Sequence, residues 1–192
     1  MARTVSFDRN EKLEQAMNLF WEKGYANTSI ADLVSSLGIN RFSLYNTFRD
    51  KKHLYAEALD HYFSKISLPN LSLLDNENGG LNELEKFLLL FAERQRLNCH
   101  GCLIQNAIIE HAGHDVHVLD KGEQLFNAIY SRLEHLVKNG QRAGEITSAV
   151  SSDALTRLIL VQMQGMRVMS KAKRYQDIES SVTSILTIIK AL

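Results

Sequence analysis

Apolar residues recur every three or four positions along most of this chain, and the polar breaks between those stretches mark where helices must stop. Leu13, Ala16, Met17 and Phe20 fall at i, i+3, i+4 and i+7, which predicts a helix over 8–23 ended by Gly24. Ile30, Leu33, Val34 and Leu37 repeat the pattern over a shorter span. Thr28 or Ser29 can cap that span, because a hydroxyl accepts from the otherwise unpaired amides of a first helical turn. Gly38 suits the left-handed backbone that ends a helix and begins a tight turn. Ile39 then plugs the joint, and Asn40 caps a further helix with Leu44 and Phe48, four apart, as its apolar anchors. A fourth helix over 50–66 carries Leu54, Ala58, Leu59 and Phe63.

The stretch 67–80 holds the only proline, a glycine pair and several turn residues, and is expected to be a loop. Beyond it, Leu84, Phe87, Leu88 and Phe91 share one face of a helix over 81–97. A break at 98–101 precedes a helix over 102–112, and a turn near Gly113 leads to a long helix over 115–140. The last two helices are expected over 152–171 and 177–192. They are apolar on more than one side (Leu155, Leu158, Ile159, Val161 and Met163, then Val182, Ile185, Leu186, Ile188 and Ile189), more than one monomer can bury, which suggests a partner surface.

Composition changes this picture little. A single proline in 192 residues, with helical periodicity throughout, gives an all-α chain of about nine helices, long enough for a real core. No segment approaches the roughly eighteen uninterrupted apolar residues of a membrane span. The first dozen residues lack the apolar centre of a signal peptide, so a cytoplasmic location is expected. The formal net charge is zero, yet Arg41, Arg49, Lys51 and Lys52 cluster against one acid, Asp50, with Arg3 and Arg9 expected in an N-terminal arm. A local basic face on a neutral molecule fits a site-selective DNA reader better than non-specific coating of DNA.

Two short helices around a glycine turn, followed by a basic approach to a third, have the layout of a helix-turn-helix. With Leu44 and Phe48 turned inward, Asn40, Arg41, Ser43, Tyr45, Asn46 and Thr47 are the candidates to face DNA, with Thr28, Phe42 and Lys51 completing the set. Arginine can pair with guanine and asparagine with adenine, whereas Ser, Thr and Tyr mostly hold phosphates. An ordinary helical hairpin with a solvated polar face would show the same periodicity.

The run GINRFSLYNTFRDKKHLYAEAL separates those readings. It resembles the N-terminal domain of the TetR (tetracycline-repressor) family of bacterial transcriptional regulators, over about residues 10 to 60. Val34 stands where many members carry a small residue, which should widen the helix crossing slightly. The resemblance implies a three-helix DNA-binding domain over 1–52 and a helical effector-binding and dimerisation domain over 53–192. It also implies a homodimer through the last two helices, presenting two recognition helices about one DNA turn apart to a palindromic operator. Repression is the family's usual sign, and release by a small-molecule or thiol-reactive signal is the expectation for this chain.

An effector cavity is expected inside the C-terminal bundle, lined by Phe87, Phe91, Arg94, Cys102, Asn106, Phe126, Tyr130, Met163 and Met166, although plain core packing explains any one of them equally well. Gly101-Cys102-Leu103 resembles a subset of the family in which some members sense reactive compounds through cysteine. A thiol at a helix N-terminus favours the thiolate, so Cys102 is either a sensor or a small packed residue, and Cys99 is the weaker candidate. Cys99, His100, Cys102, His111, His114 and His117 lie close in sequence, but no second C-x-x-C completes a metal site and a turn near Gly113 interrupts the histidines, so no metal or other cofactor is expected. No catalytic triad order, carboxylate pair in a cleft or phosphate-cradling glycine loop is present, which argues against an enzyme. A helical interaction protein without DNA binding is the remaining rival.

Overall fold

The computed structural model describes residues 7–98, 100–111 and 114–190. Among them the chain forms nine α-helices: α1 (Arg9–Lys23), α2 (Ile30–Leu37), α3 (Arg41–Phe48), α4 (Lys51–Tyr62), α5 (Leu81–Leu97), α6 (Leu103–His111), α7 (Val116–Arg142), α8 (Ser152–Lys171) and α9 (Tyr175–Ile189). The only extended pairing among these residues is an isolated bridge between Ile146 and Lys190. The chain is all-α.

Most helices begin where a short polar side chain can accept from first-turn amides. Asp8 does so for α1, Asn40 for α3, Asp50 for α4 and Ser151 for α8. Ser29, not Thr28, caps α2. Its hydroxyl accepts from the Asp32 amide while Asp32 accepts from the Ser29 amide, a reciprocal capping box. Asp115 accepts from the His117 and Val118 amides at the start of α7. Two segments depart from expectation. The end of the fourth helix widens into a π-helix over Phe63–Ser67, and the expected loop contains a 3-10 helix over Pro69–Leu74 that buries Leu71 and Leu74.

The chain forms two compact units, one of residues 1–66 with 102–122, the other of 67–101 with 123–192. In the first, α1 packs on α4 and α2, and α3 bridges α2 and α4. Leu13, Ala16, Met17 and Phe20 meet a core that includes Leu33, Leu37, Leu44, Phe48, Leu54 and Leu59. The Phe20 and Tyr55 rings meet edge-on at 4.9 Å, and Trp21 and Tyr62 at 5.0 Å. Packing therefore places α4 and α6 with the first three helices.

In the second unit, α5, α8 and α9 pack together. Their buried faces carry Leu84, Phe87 and Leu88, then Leu155, Ile159 and Met163, then Ile178, Val182 and Ile185. The C-terminal half of α7 is tied to the 75–80 segment by Arg132 on Asp75 at 2.6 Å and by Asn139 on the Gly79 carbonyl at 2.9 Å.

Candidate nucleic-acid interface

The second helix of the helix-turn-helix is held by little. Only Leu44 and Phe48 of α3 are fully buried, and the rest of the helix is exposed or half-buried. Gly38, with φ 62, makes the turn before it, and Ile39 fills the joint at 8 % exposure. The Arg9 guanidinium lies over the Phe48 ring at 4.9 Å and pairs with Glu57, so one side chain links α1, α3 and α4. Arg9 is thereby used inside the unit and is no part of a DNA-reaching arm. Arg3 lies outside the described residues.

The exposed face carries most of the expected residues. Arg41, Phe42 and Asn46 are exposed, while Ser43, Tyr45 and Thr47 are half-buried. The Arg41 guanidinium stacks over the Tyr45 ring at 5.6 Å and approaches its hydroxyl at 3.4 Å, one helical turn away. This stack stiffens a long side chain that would otherwise lose entropy on binding. Phe42 is 75 % exposed on the same short helix, an apolar ring left for a partner to cover.

Three of the expected residues have partners inside the unit, and for Asn40 that partner is the expected cap. Thr28 is fully buried and its hydroxyl donates to the Gly24 carbonyl at 2.6 Å, so its side chain cannot reach DNA. Asn40 accepts from the Ser43 amide at 2.8 Å. Its carboxamide oxygen is thus occupied by capping, and a bidentate contact to adenine would need both ends of the group. The Lys51 ammonium sits 4.1 Å above the Tyr25 ring, and burial pushes its pKa down, so it is committed to a cation–π contact within the unit. Lys52, the neighbour, is well exposed and pairs with Asp115 at 3.2 Å.

Arg49 has φ 67 and ψ −63, and the Asp50 amide donates across it to the Phe48 carbonyl at 2.8 Å. This is a γ-turn of the strained hand, in a region that disfavours any side chain with a Cβ. Arg49→Gly should therefore raise the folding stability by about 1 kcal/mol, read as a higher urea midpoint. The same variant should weaken DNA binding, because a basic group leaves the turn beside α3.

A further residue, invisible to periodicity and motif alike, positions this head. Glu110 near the end of α6 accepts from the Tyr25 amide at 2.9 Å and from the Ala26 amide. Gly24, with φ 82, supplies the positive backbone angle on which the α1–α2 turn begins. Asp32 and Asp50 are both held below the usual carboxylate range, Asp32 by the Ser29 hydroxyl and Lys23, Asp50 by the His53 amide and ring.

The nine expected effector residues divide between the two units. Cys102 and Asn106 belong to the first, the other seven to the second. Cys102 is 3 % exposed and precedes α6, its carbonyl accepting from the Asn106 amide. Cys99 and Gly113 lie outside the described residues. In the second unit Phe87, Phe91, Met163 and Met166 are buried, with the Arg167 guanidinium 5.4 Å from the Phe91 ring. Arg94 donates to the Asn70 carbonyl. Phe126 is half-buried, and the Tyr130 hydroxyl donates to Asp153 at 2.6 Å, which pushes its pKa up to about 12.

Comparisons with known proteins agree on one group. Residues 13–58 match the family described as bacterial regulatory proteins, tetR family, and residues 80–185 match the tetracyclin repressor-like C-terminal domain. An uncharacterised HTH-type transcriptional regulator, YezE of Bacillus subtilis, is 31 % identical over 156 residues, covering 77 % of this chain and 79 % of its own. The HTH-type transcriptional repressor DhaR of a Mycobacterium species is 24 % identical over 178 residues, 92 % of this chain and 88 % of its own. A TetR transcriptional regulator from Chloroflexus aurantiacus, solved as a crystal structure, shares the fold with a TM-score of 0.84 at 24 % identity, over 96 % of each chain.

Proposed function

The chain belongs to the TetR family of bacterial regulatory proteins, as a DNA-binding transcriptional regulator and not an enzyme, and from that premise we propose that it is a homodimeric repressor of a palindromic operator. In this reading residues 1–52 contact DNA, residues 53–192 dimerise and receive the signal, and the protein acts in the cytoplasm. No helix of the described residues is long and apolar enough to cross a membrane.

The observation that carries the dimer is an apolar stripe on α8. Leu158, Val161 and Val168 are 38, 67 and 49 % exposed at i, i+3 and i+10, and Ile188 of α9 is 60 % exposed. Gly165 lies on the same face, and a Cβ there would meet nothing within 4 Å. A bare glycine within an exposed apolar stripe lets a second helix approach closely. Two chains joined there present two α3 helices, and the spacing between them sets whether both fit successive major grooves.

The release signal would bind one spacing better than the other while DNA prefers the second, which is linkage between the two sites. A small molecule received among Phe87, Phe91, Phe126, Met163 and Met166 is the favoured signal. A thiol-reactive signal at Cys102 requires local opening first, because the thiol is buried.

The test pairs light scattering with binding to DNA from upstream of the protein's own gene. The wild type should be a dimer that binds selectively, with an affinity that falls steeply with salt. Val161→Glu should give a folded monomer whose operator affinity drops about 100-fold, since one head per molecule loses the second half-site. A variant that stays dimeric would move the interface off α8, and a wild type without selective binding would overturn the reading.

A further inference from the structure

We propose that Phe42 selects a thymine in each half of the operator, its ring packed on the C5 methyl group of the base in the major groove. The proposal rests on the DNA-binding reading above and adds to it the base that one side chain chooses.

Phe42 is 75 % exposed. Among the described residues it is the one phenylalanine, tyrosine or tryptophan left exposed, all the others being buried or half-buried. The helix that carries it explains why. Successive residues of an α-helix turn through about 100°, so the buried Leu44 and Phe48 fix the inward side of α3. Phe42 and Asn46, one turn apart, fall on the outward side and are both exposed. Phe42 is also the second residue of the helix, and the N-terminal residues of a recognition helix are the ones that meet base edges.

The surroundings of the ring favour nucleic acid over a protein partner. Arg41 and Asn46 are exposed beside it, the exposed Arg49 follows at the end of the helix, and α3 contains no acidic residue. A protein surface would call for a contiguous apolar patch. Here a single ring stands among basic and polar groups, which suits a polyanion whose phosphates flank a groove.

The chemistry of the groove then singles out the base. On their major-groove edges adenine, guanine and cytosine present donors and acceptors, whereas thymine adds a methyl group to its acceptor. A phenyl ring offers no partner to a donor or acceptor, and covering one leaves it unpaired at a cost. Covering the thymine methyl instead removes apolar surface from water, a gain of about fourfold in affinity for one carbon of that size. A dimer makes the contact twice, so the two methyl groups together contribute about 15-fold.

The test begins with duplexes of randomised core sequence, from which the full-length wild type and Phe42→Ala each enrich their preferred site. In the duplex preferred by the wild type, each symmetry-related pair of thymines is then replaced by deoxyuridine, which removes the methyl groups and leaves base pairing unchanged. Affinity is read by fluorescence anisotropy. One pair is expected at which the wild type weakens about 15-fold. Phe42→Ala should bind the unsubstituted duplex more weakly, lose less than about twofold on the same replacement, and enrich sites with relaxed preference at that position. A preferred half-site without thymine, equal affinity for every substituted duplex, or a penalty that persists in Phe42→Ala would overturn the thymine contact and leave the DNA-binding reading standing. A wild type that enriches no sequence would overturn that reading and the contact with it.

Discussion

Phe48→Ala should destabilise the protein by about 3–5 kcal/mol, whereas Phe42→Ala, six residues earlier on the same helix, should change stability by less than about 0.5 kcal/mol. Phe48 is 1 % exposed and Phe42 75 %. Removing the Phe48 ring leaves a cavity between α3 and its neighbours, and it also takes away the surface on which the Arg9 guanidinium lies. Because Leu44 is the only other fully buried residue of α3, no second anchor can compensate. Domains of this size are stable by about 5–15 kcal/mol, so the change consumes a large share of that margin. Urea unfolding followed by circular dichroism at several wavelengths reads it directly. A lower midpoint at constant slope means that folded stability fell, and a changed slope means that the reading head has come apart from the rest. A loss below about 1 kcal/mol would show that α3 is held by something other than these two anchors. Phe42→Ala supplies the complementary readout. Stability should stay, and operator affinity should fall if the exposed ring packs on DNA.

Arg41→Glu should lower operator affinity by about 100-fold or more at moderate salt. A well-placed arginine contributes about 1–3 kcal/mol at each contact, and a two-fold dimer makes the contact twice. The introduced carboxylate also repels phosphate. Stability should hardly change, because Arg41 is exposed and its partners are the Tyr45 ring and hydroxyl. Lys51→Gln provides the contrast. Its ammonium is over Tyr25, so that variant should affect folding more than binding. The salt dependence separates two roles for Arg41. If the guanidinium holds a phosphate in each subunit, the substitution should lower the slope of log affinity against log salt by roughly two. If it reads a base, the slope should stay and selectivity should relax at one operator position. Unchanged affinity for Arg41→Glu would remove α3 from the interface.

What could be read in advance was whatever local chemistry decides. Asn40 caps a helix because an Asx side chain reaches an amide three residues on, and Gly24 and Gly38 stop helices because they take positive φ. The apolar anchors Leu44 and Phe48 followed from a four-residue interval. Choosing between Thr28 and Ser29 was beyond local reasoning, since Thr28 turns back to Gly24 while Ser29 faces Asp32. The roles that the sequence does not display depend on partners remote along the chain. Lys51 meets Tyr25, Arg9 meets Glu57, and Glu110 meets an amide pair 84 and 85 residues away. Periodicity carries no record of such pairings. The effector set, gathered from apolar and aromatic residues of successive helices, fell into two packing units for the same reason.

The Glu110 contact also bears on how the protein is made. A ribosome releases α1 to α4 well before it reaches residue 110, and the two amides that Glu110 will accept from are by then already waiting at the α1–α2 turn. The unit that reads DNA is interrupted by residues 67–101 and closes only when 102–122 has emerged. A nascent chain paused at residue 66 therefore displays a helix-turn-helix without its brace.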